Sequence, residues 1–123
     1  MYDNNIITEF RQHAIYYDCS NGSTITNNHV VGANQYSEDG AGGWKAAIYN
    51  HCGDTGNRSI ITGNHVEVFN NDRYDEHLYG ISAYATSLIS ENSIYSFNRD
   101  YRDNRTYGIY GGDHLEISNN YIF

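Results

Sequence analysis

A repeated six-residue pattern constrains the fold of this chain more than any other feature of its sequence. Each copy reads aliphatic, hydroxyl, any residue, Asn, any residue, β-branched. The copies are residues 25–30, 61–66, 89–94 and 117–122, and their asparagines are Asn28, Asn64, Asn92 and Asn120. These asparagines are 36, 28 and 28 residues apart, a period typical of solenoids, whose units stack because one unit cannot bury its apolar side alone.

A second pattern precedes each copy of the first at matched spacing. It is a small residue, then Ile, then Tyr or Ser, and its isoleucines are Ile15, Ile48, Ile81 and Ile109. The apolar runs are too short for helices, and the chain contains no Pro to interrupt a strand ladder. We therefore predict an all-β fold, a right-handed parallel β-helix of about four coils, in a single domain of residues 1–123.

Stacking at about 4.8 Å would place equivalent residues in ladders. We expect an inward ladder of Ile25, Ile61, Ile89 and Ile117, and a corner ladder of the four asparagines. Asn suits such a corner because it tolerates the left-handed conformation and its amide can bond to neighbouring coils.

Both ends of the sequence are in the same phase of the repeat. Residues 2–7 read as a degraded copy of the Asn pattern, and Phe123 directly follows the last copy. We see no amphipathic capping helix at either end, and an uncapped solenoid exposes apolar ladder and unpaired strand edge. We expect either a segment of a longer solenoid or an uncapped subunit that forms homo-oligomers by end-to-end stacking.

The two patterns together resemble the parallel β-helix repeat of pectate-lyase-like proteins, including the carbohydrate-binding and sugar-hydrolysis repeats. The resemblance covers nearly the whole chain. It implies three sheets per coil, a short Asn turn between the second and third sheets, and the longest loops from the third back to the first. Those loops would be residues 32–46, 67–79 and 95–107.

The resemblance also implies that substrate lies on the first sheet and against the long loops. The first sheet would contain the strands of Ile15, Ile48, Ile81 and Ile109. By simple alternation their neighbours Tyr16, Tyr49, Ser82 and Tyr110 would face outward.

Two aligned 12-residue segments, residues 69–80 and 97–108, carry the strongest candidate for chemistry. Their offset of 28 residues would bring Asp72 beside Asp100 and Asp75 beside Asp103. Adjacent carboxylates can serve as catalytic acid and base or bind calcium. The candidate substrate-binding residues around them are Tyr49, Tyr110, Tyr74, Tyr79, Tyr101, Tyr107, Arg73 and Arg102. The alternative is an ordinary solvated loop whose charges pair locally with Arg73, Arg99 and Arg102.

Three other groups give weaker signals. Asp113 and His114 are interpreted as turn residues, because the fuller motifs of glycan-cleaving β-helices are absent. His29 and His65 occupy one repeat position and could share a metal, but the ladder continues with Ser93 and Tyr121, so an incidental pair is favoured. The third group is the cysteine pair: Cys19 and Cys52 should be neighbours on adjacent coils, and we expect free thiols rather than a disulfide.

The charge of the chain excludes some partners. A formal net charge of −8 with a single lysine argues against nucleic acid and against an acidic membrane surface. We expect a polysaccharide-recognising segment from a glycan lyase, hydrolase, epimerase or tailspike-like protein, outside the cell or at its surface. An enzymatic form would be a polysaccharide lyase or resemble a glycoside hydrolase. The alternative is a structural solenoid without an active site: a spacer, adhesin or self-assembling subunit.

Overall fold

The computed structural model describes residues 1–8, 10, 13–17, 22–34, 45–51, 58–70, 77–84, 86–98, 105–112 and 114–123. All regular elements within these residues are β-strands. Sheet A contains β1 (Tyr2–Asp3), β4 (Thr24–Thr26), β7 (Ser59–Thr62), β10 (Ser87–Ser90) and β13 (Leu115–Ser118). Sheet B contains β2 (Ile6–Thr8), β5 (His29–Asn34), β8 (His65–Asn70), β11 (Ser93–Asn98) and β14 (Tyr121–Ile122). Sheet C contains β3 (His13–Tyr17), β6 (Lys45–Asn50), β9 (His77–Ala83) and β12 (Arg105–Gly111).

The chain visits the three sheets in turn, and each strand from β1 to β11 pairs in parallel with the strand three places later. We call one passage through the sheets a coil. The predicted all-β architecture of stacked parallel strands is confirmed, and it is compatible with a β-helix. In the part of the chain that is described, no helix is long and apolar enough to cross a membrane.

The predicted apolar ladder lies in sheet A. Ile25 pairs with Ile61, Ile61 with Ile89, and Ile89 with Ile117. The first three side chains are completely buried, whereas Ile117 on the last strand is 51% exposed. Tyr2 takes the same position in β1, as the degraded copy of the pattern predicts. The core is therefore a column of aliphatic side chains enclosed by the three sheets.

The predicted asparagine ladder lies at the corner between sheets A and B. The backbone N and Nδ2 of Asn28 both donate to Oδ1 of Asn64, at 3.0 and 2.9 Å. Asn64 repeats this with Asn92, and Asn92 with Asn120. Asn5 extends the ladder by donating to Asn28. Each amide thus bridges two coils, as predicted.

The left-handed conformation at this corner belongs to a different residue from the one expected. It is adopted by the residue before each ladder asparagine, with φ between 52° and 67°. These residues are Asn4, Asn27, Gly63, Glu91 and Asn119. Asn64, Asn92 and Asn120 instead fold Nδ2 back onto the carbonyl two residues earlier, as Asn92 does to Ser90 at 3.0 Å. The expectation that the ladder Asn supplies the left-handed residue is wrong.

The loops that lead to sheet C are shorter than predicted. The predicted ranges 32–46, 67–79 and 95–107 are wrong at both ends. They start too early because β5, β8 and β11 continue to Asn34, Asn70 and Asn98. They end too late because β6, β9 and β12 begin at Lys45, His77 and Arg105. The last residues of β5, β8 and β11 pair with one another through the backbone, which needs no apolar pattern. Residues 35–44, 71–76 and 99–104 lie outside the described residues.

Candidate functional site

Sheet C carries three columns of aligned residues, rich in aromatic rings, which we call the aromatic face. The first column is His13, Ala46, Tyr79 and Tyr107. The second is Tyr16, Tyr49, Ser82 and Tyr110. The third, just beyond the strands, is His51, Tyr84 and Gly112, where backbone hydrogen bonds to the preceding coil continue. One sheet thereby gathers most of its aromatic residues on one surface.

A departure from simple alternation creates the first two columns. Ala47 and Ile48 are consecutive, yet both belong to the buried core. Gly80 shows why this position is small: a Cβ there would lie 2.5 Å from Cγ2 of Ile94 and 2.7 Å from the backbone oxygen of Gly108. Because the small residue and the Ile both face inward, the residues on either side of them both face outward.

The rings of the aromatic face pack against one another. Tyr16 stacks on Tyr49 with ring centroids 5.5 Å apart, and His13 lies 4.6 Å from Tyr49. On the next two coils Tyr79 stacks on Tyr107 at 5.1 Å and contacts Tyr110 at 5.0 Å. These contacts form two packed groups of rings rather than isolated surface tyrosines.

Tyr84 joins the two halves of this layer. Its ring meets Tyr49 at 6.2 Å and Tyr110 at 6.3 Å, both edge to face. Between those two tyrosines, Ser82 interrupts the second column and is completely buried. The Ser82 hydroxyl has no hydrogen-bond partner among the described residues. The layer therefore closes over a small, buried residue whose hydroxyl is unpaired within the described part of the chain.

Tyr79 and Tyr84 of this face stay neutral across the physiological range. Burial raises the pKa of Tyr79 to about 12, and the neighbouring Tyr107, Tyr110 and Tyr84 add to the increase. Burial also raises the pKa of Tyr84. Neutral phenol groups both donate and accept hydrogen bonds, so this surface suits an uncharged partner rich in hydroxyl groups.

His13 makes the stability of this face depend on pH. Burial lowers the pKa of its ring from 6.5, although the contact of Nδ1 with the Ala46 carbonyl opposes the change. Below pH 6.5 the unfolded chain therefore binds this proton more readily, and the free energy of unfolding should fall as the pH decreases. Urea unfolding at pH 7 and pH 5 should show a smaller loss in His13→Phe, which keeps a ring. An equal loss in both proteins would contradict this assignment.

The structure brings together four of the six predicted substrate-binding tyrosines. Tyr49, Tyr79, Tyr107 and Tyr110 all lie on the aromatic face. The other predicted site residues, Asp72, Asp75, Asp100, Asp103, Tyr74, Tyr101, Arg73 and Arg102, lie outside the described residues, and with them the calcium hypothesis. The strands that flank them are in the predicted register, with Asn70 opposite Asn98 and His77 opposite Arg105.

Sequence reasoning did not identify three members of the face: His13, His51 and Tyr84. Tyr84 and His51 each follow the outward residue of their strand by two positions, Ser82 and Tyr49. Extending the alternation past the strand end would have found them. His13 is hidden by the inward pair that separates it from Tyr16.

The weaker candidates have mixed outcomes. His114 is exposed, with φ of 62° between β12 and β13, as expected of a turn residue. Asp113, Cys19 and Cys52 lie outside the described residues. No protein-family model, curated protein or solved structure matches this chain.

Proposed function

We propose that the chain is a right-handed parallel β-helix of the pectate-lyase-like kind that recognises a polysaccharide on its aromatic face. The observation that supports this is the continuous layer of outward rings across four strands of one sheet. A linear polymer matches a surface that repeats at about 4.8 Å along the stack. Such a role would place the protein outside the cell or at its surface.

The ring geometry restricts how a sugar would bind. Most ring faces are already packed against other rings. A sugar ring would therefore stack mainly on Tyr16, which lies at one end of the layer and is 49% exposed. Elsewhere the ligand would meet ring edges and phenol hydroxyls, as at the partly exposed Tyr107 and Tyr110. The net charge of −8 disfavours a polyanionic glycan. A neutral polysaccharide is the proposed ligand class.

A glycan array tests this proposal, and calorimetry on the best ligand then locates its site. The double variant Tyr16→Ala/Tyr110→Ala should weaken binding by at least about tenfold, because each removes aromatic contact from the face. The control is Tyr121→Ala, since Tyr121 is 65% exposed on sheet B. Absence of any glycan ligand, or equal weakening by the control, would contradict the proposal.

A catalytic role for the loop carboxylates is a further part of this proposal. Residues 71–76 and 99–104 directly precede β9 and β12 in the sequence, and hence Tyr79 and Tyr107 of the aromatic face. The pairs Asp72/Asp100 and Asp75/Asp103 would act as acid and base or hold calcium.

The double variant Asp72→Asn/Asp100→Asn should abolish glycan binding or turnover while thermal stability stays nearly unchanged. Binding or turnover that survives would remove these carboxylates from the site. A collapse of stability would instead identify the loops as structural ion-pair networks and favour the structural solenoid.

The structural alternative rests on the apolar side chains of the outermost strands. Ile6 in β2 is 79% exposed, and Ile117, Ile122 and Phe123 near the other end are 51%, 53% and 65% exposed. A second copy could continue sheets A and B there by pairing its β1 and β2 with β13 and β14, because residues 2–7 and 117–122 share one phase of the repeat.

Sedimentation of the 123-residue chain tests this alternative. The sedimentation coefficient should rise with protein concentration, and Ile117→Lys/Ile122→Lys should reduce the rise by placing charge on the pairing edge. A monomer at every concentration would contradict self-assembly.

A further inference from the structure

The outer face of sheet B holds a cluster of three metal-ligating side chains. His29 on β5 pairs with His65 on β8, and their ring centroids are 4.7 Å apart. Glu67 follows His65 by two residues, so it lies on the same face, and its Oε1 is 2.8 Å from Nε2 of His65. One ligand atom from each of the three residues lies within 4.8 Å of the other two.

Glu67 supplies the third metal ligand that the ladder of His29 and His65 does not provide. Along the ladder itself, His65 is followed by Ser93, which is not a ligand for such an ion. The third ligand instead comes from the next outward position of the same strand. On the following coil Tyr95 borders the cluster, with its ring 5.3 Å from that of His65.

The donor set and the spacing suit zinc. Two imidazoles and one carboxylate are a common set for Zn²⁺ with an open fourth position, and bond lengths of about 2.0–2.2 Å put tetrahedral ligand atoms roughly 3.3–3.5 Å apart. The side chains of His29, His65 and Glu67 are exposed or half-buried, so small torsional changes can close the present separations. Calcium prefers an all-oxygen shell and is a poor match.

We propose that His29, His65 and Glu67 bind one divalent transition-metal ion, with Zn²⁺ as the best fit. The ion would join β5 to β8 and so link two successive coils, with its open position towards solvent. The cluster lies on a different sheet from the aromatic face, so the proposal is independent of glycan recognition. Because the ligands come together only in the folded chain, the bound ion would stabilise that state.

Titration of metal-free protein with ZnCl₂ by calorimetry tests the site. Wild type should bind one zinc equivalent more than His29→Ala or His65→Ala, or bind it at least about tenfold more tightly. Glu67→Gln should also weaken that site. Because the zinc binding of wild type is compared with that of each variant, zinc bound elsewhere, for example by Cys19 and Cys52, contributes equally to both. The control is His114→Asn, which removes an exposed His while Asn tolerates the positive φ at that position.

Thermal unfolding with and without ZnCl₂ gives a second readout. Zinc should raise the Tm of wild type and of His114→Asn more than that of His65→Ala, while far-UV circular dichroism shows that all three are folded. Equal zinc binding and equal Tm shifts in wild type and His65→Ala would overturn the proposal. A Glu67-dependent response to CaCl₂ without one to ZnCl₂ would overturn the assignment to a transition metal.

Discussion

Asn92→Ala is expected to lower the free energy of unfolding by on the order of 3 kcal/mol or more, because it leaves several buried polar groups unpaired. Asn92 is completely buried. Its Oδ1 accepts hydrogen bonds from the backbone N and Nδ2 of Asn64. Its Nδ2 donates to the carbonyls of Ile61 and Ser90 and to Oδ1 of Asn120. Urea unfolding measured by circular dichroism would give the change.

Asn5→Ala is the matched control for this prediction. Asn5 stands at the end of the same ladder, is exposed, and donates to Oδ1 of Asn28. Water can replace its contacts, so its loss should cost no more than about 1 kcal/mol. Equal costs at Asn5 and Asn92 would show that the ladder does not stabilise the interior coils through buried hydrogen bonds.

Ile89→Ala should lower the free energy of unfolding by about 2–5 kcal/mol, because it leaves a cavity in the core. Ile89 is completely buried between Ile61 and Ile117 of the same ladder. The control Ile117→Ala makes the same chemical change where the side chain is 51% exposed, and should cost about 1 kcal/mol or less. Denaturant unfolding of both variants measures the difference. A similar cost at the two positions would contradict the buried inward ladder.

The register of the strands could be predicted from the sequence because a parallel stack repeats its environment at every coil. Ile25, Ile61 and Ile89 meet one interior environment, so one residue type recurs and its spacing gives the length of each coil. The ladder asparagines recur for the same reason, since each must bond both to its own turn and to the next coil.

Features that do not repeat by residue type could not be predicted. The left-handed residue before each ladder asparagine is Asn, Gly or Glu, because its exposed side chain is under little constraint from packing. The strand ends at Asn34 and Asn70 are held by backbone pairing, which leaves no apolar alternation in the sequence. Glu67 completes a cluster only when the ladder and the strand are considered together.

The aromatic face and the histidine cluster both require that residues 28 to 36 positions apart be direct neighbours. Nuclear Overhauser contacts between backbone protons of paired strands measure this directly. The strand register predicts parallel-sheet contacts joining Ile25 to Ile61, Ile61 to Ile89, and Ile89 to Ile117. Antiparallel contacts, contacts shifted by one residue, or helical contacts within residues 59–62 or 87–90 would contradict it.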